Sequence, residues 1–255
     1  TEDPVKHASA PNVVCIVPGN TDREIVVGAH FDYVYRGKGV VDNWSGASML
    51  PSLLETVEKE PRRHTYVFIG FTDEEQGLVG SHYYVQHLSK EQRERISAMI
   101  NFDTLGLAPT EVWASHADRG LLNALAAVAG AMKLPISALN VDNVGDSDSE
   151  SFRDKEIPSL TIHSVTQKTW PILHSSQDTI AAINRDDYLQ TYRLMAGYVV
   201  YVDQISGERT PEFAGPEITS PQIETIFPFS ASNVVRARPR KVDARTCHEY
   251  DLRSN

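Results

Sequence analysis

Two adjacent glutamates, Glu74 and Glu75, stand just after an apolar segment of strand length and composition, residues 65–71. Two carboxylates at the end of a buried strand are costly unless a cation or a proton offsets their charge. Because neighbouring side chains of a strand or turn point in different directions, one glutamate can bind a metal while the other faces a substrate. The alternative is a solvated acidic turn.

Histidines and carboxylates follow the other predicted strands as well. They are His30 and Asp32 after residues 24–29, Asp103 after residues 98–102, His174 one loop after residues 159–162, and Asp42 before the first predicted helix. In open α/β sheets, ligands bind outside the carboxyl ends of the strands. We therefore expect these side chains to share one cleft.

A cluster of imidazoles and carboxylates without thiolates suits zinc, manganese or cobalt. The set is larger than one tetrahedral ion needs while it keeps a position open for substrate, and it suits two ions roughly 3.5–4 Å apart that share a bridging carboxylate. Asp32, two residues after His30, can accept the other ring N–H of that histidine and fix its tautomer. The candidate donors are His30, Asp42, Asp103, His174 and one of the two glutamates, Glu74 or Glu75.

Strands alternate with helices along the chain, and the helical pattern is clearest at residues 45–60, 119–132 and 185–205. This alternation predicts an α/β fold with a mostly parallel sheet covered by helices on both faces. We assign residues 1–206 to one catalytic domain. Residues 207–255, first proline-rich and then basic, form an extension that we expect to be an ordered arm up to about Val235.

Composition excludes some classes of partner. The net charge is −10 with no basic stripe outside the C-terminal extension, which argues against nucleic acid. No apolar run is long enough for a membrane-spanning segment. His163 is predicted to be a satisfied polar group. Five further histidines are predicted to lie at the surface: His7, His64, His82, His87 and His116.

Six motifs carry a family resemblance, in the order in which the family has them. They are Gly28-Ala29-His30-Phe31-Asp32, Val41-Asp42-Asn43-Trp44-Ser45-Gly46, Asp73-Glu74-Glu75-Gln76-Gly77-Leu78-Val79-Gly80-Ser81, Asn101-Phe102-Asp103, Ser147-Asp148, and His174-Ser175-Ser176-Gln177-Asp178-Thr179. Over about residues 10–205 the chain resembles the co-catalytic di-zinc aminopeptidases, which include bacterial leucyl aminopeptidases and have glutamate carboxypeptidase and glutaminyl cyclase as relatives. The resemblance implies a three-layer sandwich around a mixed, mostly parallel sheet, and a domain truncated at its N-terminus.

The resemblance also implies roles for individual residues. His30 and Asp103 would ligate one Zn²⁺ and Glu75 and His174 the other, with Asp42 bridging both and Mn²⁺ or Co²⁺ as alternatives. Glu74 would be the general base that activates a water between the ions, and Asp32 would orient His30. The Asp42–Asn43 peptide bond is often cis in the family. Ser147 and Asp148 would line the substrate pocket, although Ser149 replaces the usual following histidine or tyrosine.

The implied activity is the removal of N-terminal residues from peptides that have a free N-terminus, by a secreted or periplasmic enzyme. Two alternatives share the fold. One is acyl transfer of the glutaminyl-cyclase type with a single zinc, although Leu173 stands where such cyclases place a tryptophan and Trp170 is only close by. The other is a non-catalytic module, against which the presence of all five ligands and Glu74 argues.

Overall fold

The computed structural model describes residues 1–142 and 145–205. Its strands are β1 Glu2–Asp3, β2 Asn12–Val17, β3 Glu24–His30, β4 Thr65–Phe71, β5 Ile96–Phe102, β6 Glu111–Val112, β7 Ser137–Ala138 and β8 Ser159–His163. Its α-helices are α1 Ser45–Val57, α2 Val79–His87, α3 Lys90–Arg95, α4 Arg119–Met132, α5 Ser149–Arg153 and α6 Arg185–Ile205. The predicted extension after residue 206 lies outside the described residues.

Within this part of the chain, the strands form one mixed sheet in the order β1-β2-β4-β3-β5-β8-β6-β7. The four central strands β4, β3, β5 and β8 run parallel, while β2 and β6 pair antiparallel at either side of them. Parallel strands place their carboxyl ends at one edge of the sheet. The segments that follow β3, β4, β5 and β8 therefore meet at this edge.

Successive side chains of a strand point to opposite faces, and each face of the sheet has its own core. On one face, Ile25 and Val27 of β3 pack with apolar residues of α1, α4 and α6. On the other face, Val26 packs with apolar residues that include Tyr84 of α2 and Phe152 of α5. Helices on both faces of one mixed sheet confirm the predicted three-layer α/β architecture.

The predicted element boundaries differ from the observed ones by a few residues. The first predicted helix ends at Val57 rather than at residue 60, and β5 begins at Ile96, two residues before the prediction. The predicted span of α6 is confirmed. Its cap is Asn184, whose Oδ1 accepts the backbone N–H groups of Asp186 at 3.0 Å and Asp187 at 3.3 Å.

The prediction that His64 lies at the surface is wrong. His64 is 2% exposed, and its Nδ1 lies 3.1 Å from Oδ1 of Asp203. The Asp203 carboxylate also accepts the backbone N–H groups of Arg63 at 2.9 Å and His64 at 2.8 Å. This carboxylate fastens the end of α6 to the segment that enters β4. The partner is 139 residues away in sequence, so local context could not reveal it.

None of the helices in residues 1–142 and 145–205 combines the length and the apolar character that crossing a membrane requires.

Replacing Asp203 by asparagine should destabilise the domain by about 1–3 kcal/mol at pH 7, because an amide oxygen cannot replace both carboxylate acceptors for the buried N–H groups. Burial alone would raise the pKa of Asp203, but its hydrogen bonds with His64 and with two backbone N–H groups lower it. A lowered folded-state pKa stabilises the fold above the ordinary value of 3.8, and this contribution is lost as the pH falls through the lowered value.

Urea denaturation of wild type and Asp203→Asn between pH 7 and pH 3 measures this difference. The exposed Asp154→Asn serves as the matched control and should change stability by no more than about 0.5 kcal/mol. Equal stability of wild type and Asp203→Asn at pH 7 would contradict the assigned role.

Candidate metal centre

The carboxyl edge of the central strands brings the five predicted ligands together. His30 is the last residue of β3, Glu74 and Glu75 follow β4 in a 3₁₀ turn, and Asp103 follows β5. Asp42 lies in the turn Val40–Trp44 that leads into α1. His174 comes from the loop between β8 and α6. The clustering predicted from strand ends is thus observed.

Asp42 occupies the centre of the cluster, with its two carboxylate oxygens directed at different histidines. Its Oδ1 lies 3.3 Å from Nε2 of His30, and its Oδ2 lies 3.1 Å from Nε2 of His174. The Asp42 side chain is only 6% exposed. A carboxylate with one oxygen facing each side has the arrangement expected of a ligand shared by two cations.

The remaining donors divide into two groups around Asp42. On the inner side, Nε2 of His30 lies 3.6 Å from Oδ1 of Asp103 and 3.8 Å from Oε2 of Glu74. On the outer side, Nε2 of His174 lies 3.0 Å from Oε2 of Glu75. In both groups, His30–Glu74–Asp103 and Asp42–Glu75–His174, all three donor atoms lie within 4.8 Å of one another. Each group has the composition and spacing of a cation site.

Asp32 holds the inner group in place through several contacts. Its Oδ1 lies 3.4 Å from Nδ1 of His30. The same carboxylate accepts the backbone N–H groups of Glu74 at 3.0 Å and Glu75 at 3.1 Å. The predicted role of Asp32 was to orient His30. The structure adds that Asp32 also fixes the backbone of the two adjacent glutamates, which the sequence did not reveal.

The position of Asp42 depends on the next residue, Asn43. The buried Asn43 side chain donates to the carbonyl of Phe102 at 2.8 Å and accepts the N–H groups of Gly46 at 3.0 Å and Thr104 at 3.1 Å. The Asp42–Asn43 peptide bond is cis, as the resemblance implied. A Cβ at Gly46 would lie 2.5 Å from the Asn43 side-chain oxygen, so only glycine allows this close approach.

Asp178 fixes the same turn from the His174 loop. Its Oδ1 accepts the N–H of Val41 at 2.6 Å, across 137 residues of sequence. Neither Asn43 nor Asp178 had been given a role from the sequence. Both stand inside the family motifs, and that position was the available signal.

The two residues predicted to bind substrate lie in different environments. Ser147 lines the central cavity; its hydroxyl donates to Oδ2 of Asp103 at 3.0 Å and accepts from the Asn101 side chain at 2.6 Å. Asp148 is fully buried and is not among the residues that line this cavity. Burial raises the pKa of Asp148 to about 7. Ser147 is therefore placed to touch both a ligand and a substrate, whereas Asp148 lies behind the wall.

The backbone around the site is strained at several residues. Of the seven non-glycine residues with positive φ in the described chain, four belong to the site: the candidate ligand His174 and, near other candidate ligands in sequence, Asp73, Leu78 and Thr104, with φ between 49° and 59°. A side chain in this left-handed region costs of order 1–3 kcal/mol, and such residues concentrate at functional sites. The surrounding hydrogen bonds hold these residues in a conformation that they would not adopt alone.

The burial and the concentrated negative charge of the site shift the pKa values of its residues. Burial lowers the pKa of His30, but the surrounding carboxylates outweigh that effect and hold it well above its ordinary value. Hydrogen bonds to Asp42 and Glu75 raise the pKa of His174 to about 10. Burial raises the pKa of Glu74 well above that of an ordinary carboxyl. The carboxylates of the cluster thus favour bound positive charge, whether as protons on the two histidines or as cations.

Other observations test whether cations fit here. Oε1 of Glu75 is buried without a hydrogen-bond partner. No lysine or arginine of the described chain lines the cavity, so no side chain supplies a permanent compensating charge. The donor set of histidine nitrogens and carboxylate oxygens is one that zinc accepts. The residues present therefore fit divalent cations.

Both candidate groups open into a cavity of about 260 Å³, here called the central cavity. The wall formed by β8 and by the residue after β6, here called the far wall, includes His163 and Trp113. His163 is satisfied, as predicted: its Nε2 bonds to the carbonyl of Leu139 at 2.9 Å, and its Nδ1 accepts the N–H of Val165 at 3.1 Å. Nε1 of Trp113 donates to Oδ1 of Asp142 at 3.1 Å. With these polar atoms engaged, the wall presents mainly apolar surface.

Comparison with known proteins adds a separate observation. A family model described as Peptidase family M28 matches residues 12–199, which include all five candidate ligands and Glu74.

The chain belongs to peptidase family M28.

Individual relatives agree with this assignment. The M28 chain is 28% identical over 196 residues to Aminopeptidase YwaD of Bacillus subtilis (strain 168), covering 74% of this chain and 42% of that protein. It is 26% identical over 274 residues to Leupeptin-inactivating enzyme 1 of Streptomyces exfoliatus, covering 95% and 61% of the two proteins. In both cases it spans less than two thirds of the relative.

The structural comparison confirms the fold. BSAP, a zinc aminopeptidase from Bacillus subtilis, superimposes with a TM-score of 0.70 at 24% identity, covering 79% of this chain and 51% of that one. The M28 chain therefore has the three-layer architecture that the sequence resemblance implied.

Glu75→Ala should reduce the bound metal by about one ion per chain, because the outer group then keeps only two donors of a site that needs at least three protein ligands. Elemental analysis of zinc-loaded, dialysed protein measures the content. The exposed Glu55→Ala is the matched control and should retain the wild-type content. Unchanged metal in Glu75→Ala would exclude Glu75 as a ligand.

Proposed function

We propose that the domain is a metal-dependent aminopeptidase that uses two zinc ions to remove the N-terminal residue of peptides. The observation that carries this proposal is the position of Asp42, whose two oxygens face His30 at 3.3 Å and His174 at 3.1 Å. Membership of family M28 supports peptide hydrolysis, and the similarity to named aminopeptidases supports the exopeptidase class.

The residues of the two groups around Asp42 would hold the ions. His30 and Asp103 would bind one, Glu75 and His174 the other, and Asp42 both. Zinc bound there supplies Lewis acidity, which polarises a carbonyl oxygen and lowers the pKa of water to near neutrality.

Glu74 is the proposed general base. Its side chain is only 10% exposed, lines the central cavity and belongs to the inner group, where its Oε2 lies 3.8 Å from Nε2 of His30. A carboxylate in this position accepts a proton from the attacking water and delivers it to the departing amine. Asp32 keeps the glutamate in place, because it binds the backbone N–H of Glu74 at 3.0 Å.

The charge of the cavity favours a substrate with a free amino terminus. Carboxylates surround the site, and no lysine or arginine of the described residues lines it, so the ammonium group of a substrate is attracted while a substrate carboxylate is repelled. The far wall, with the polar atoms of Trp113 and His163 already bonded, suits an apolar N-terminal side chain. The substrate of an aminopeptidase therefore suits both parts of the cavity: the carboxylates attract its ammonium group, and the far wall accommodates its apolar side chain.

The alternatives receive less support. A single-zinc acyl transferase of the glutaminyl-cyclase type needs only one of the two groups, whereas donors for both converge around Asp42. Leu173 lines the cavity at the position where cyclases place a tryptophan. A non-catalytic module of the same fold would not need a buried Glu74 beside a complete ligand set.

Glu74→Gln should lower kcat for leucine p-nitroanilide by about 10²–10⁴-fold, because the amide cannot accept the proton of the attacking water. The substitution is isosteric and removes no proposed ligand, so two ions per chain should remain by elemental analysis.

N-acetyl-leucine p-nitroanilide is the control substrate for the exopeptidase claim. Wild type should not cleave it, because the acetyl group removes the ammonium charge. Near-normal turnover by Glu74→Gln would exclude Glu74 as the base. Cleavage of the acetylated substrate would instead exclude an aminopeptidase.

A further inference from the structure

A second cleft, of about 280 Å³, adjoins the central cavity and is called here the outer cleft. Its lining includes Leu139, Asn140, Val141, Val165, Gln167 and Trp170. None of the proposed ligands and no proposed catalytic residue takes part in it. Val141 and Val165 line both spaces, so these two side chains stand between the central cavity and the outer cleft.

The sheet order places the two spaces in line. Three candidate ligands, His30, Glu75 and Asp103, stand at or after the ends of β3, β4 and β5, while the far wall of the central cavity comes from β8 and from Trp113 after β6. Leu139 and Val141 follow β7, which lies beyond β6 at the end of the sheet. A side chain that extends from the ligands along the cavity therefore points toward the valines and then the outer cleft.

Val165 is held firmly in this position. It is 5% exposed, and its backbone N–H donates to Nδ1 of His163 at 3.1 Å. His163 is itself bonded to the carbonyl of Leu139, which also lines the outer cleft. Val141 and Val165 are here called the partition. Because hydrogen bonds connect the backbone on both sides of it, the width of the passage between the central cavity and the outer cleft depends on the size of these two side chains.

The outer cleft has the chemistry to receive an aromatic ring. Trp170 is 51% exposed, which leaves its indole surface available for stacking. Its backbone is fixed, because its N–H donates to the carbonyl of Thr166 at 2.9 Å. Leu139 and the two valines supply further apolar wall. A flat apolar group could therefore bury its surface against this indole and the aliphatic side chains.

We propose that Val165, together with Val141, is the residue that limits the length of the N-terminal side chain, and that the outer cleft is an extension of the specificity pocket behind this partition. The proposal rests on the proposed function, since it concerns the substrate of the same site. Leucine fits the central cavity in front of the valines. A side chain with a fused second ring, such as 2-naphthylalanine, needs the space behind them.

The test compares leucine p-nitroanilide with 2-naphthylalanine p-nitroanilide in the zinc-loaded protein. In Val165→Ala, the ratio of kcat/KM for naphthylalanine over leucine should rise by about tenfold, the scale of a steric change of one or two methyl groups in an apolar pocket. Val165→Ile, which keeps the partition, should not raise the ratio. An unchanged ratio in Val165→Ala would overturn the proposal.

A second substitution tests whether the gained space is the outer cleft. Adding Trp170→Ala to Val165→Ala should remove most of the gain, because the ring then loses its stacking surface. In wild type, the same Trp170→Ala should leave the ratio unchanged, since the partition keeps substrates from the outer cleft. A gain that survives Trp170→Ala would show that the ring is accommodated elsewhere.

Two controls separate the possible failures. Val128→Ala also trims a buried valine, in α4 and away from both spaces, so it matches the loss of stability but should not change the ratio. Calorimetric binding of free naphthylalanine and leucine to wild type and Val165→Ala needs no turnover. If no variant hydrolyses either substrate, the proposed function fails, and the binding ratio alone still decides whether Val165 is the partition.

Discussion

One carboxylate, that of Asp32, connects the parts of this site, because it accepts two backbone hydrogen bonds and contacts a histidine ring. It receives the backbone N–H groups of Glu74 and Glu75 at 3.0 and 3.1 Å and faces the ring of His30 at 3.4 Å. The ends of β3 and β4 are thereby fixed to each other beyond the register of the sheet. Burial alone would raise the pKa of Asp32, but these contacts, with His30 the strongest, lower it. Asp32 thus stays charged and keeps the two glutamates in fixed orientations.

The site combines an unfavourable charge distribution with a rigid support. Carboxylates converge where no lysine or arginine of the described residues lines the cavity, and four residues of the site, among them His174, adopt left-handed backbone conformations. Such an arrangement persists only when the surrounding structure determines it. Asn43 and Asp178 hold the arrangement in place, because their hydrogen bonds join the Asp42 turn to β5 and to the His174 loop. Bound cations would reduce the electrostatic repulsion between these carboxylates.

The sequence predicted the site residues that stand at strand ends. It did not predict features that depend on contacts between residues far apart in the chain. His30, Glu74, Glu75 and Asp103 follow strands whose apolar composition is evident, so their convergence was predictable once a parallel sheet was inferred. The burial of His64 was missed, because its partner Asp203 arrives 139 residues later. The same limit applies to Asp148, which lies behind the cavity wall, and to the outer cleft, which forms only when loops after β7 and β8 adjoin.

The two histidines of the site differ sharply in exposure. The His30 side chain, at 1% exposed, belongs to a central strand, whereas that of His174, at 50%, belongs to a loop. Local opening of a loop requires far less free energy than disruption of a core strand. The outer half of the site can therefore open and reclose while the inner half stays intact. If each half holds a zinc ion, as proposed, a chelator should remove the ion of the outer half before that of the inner half.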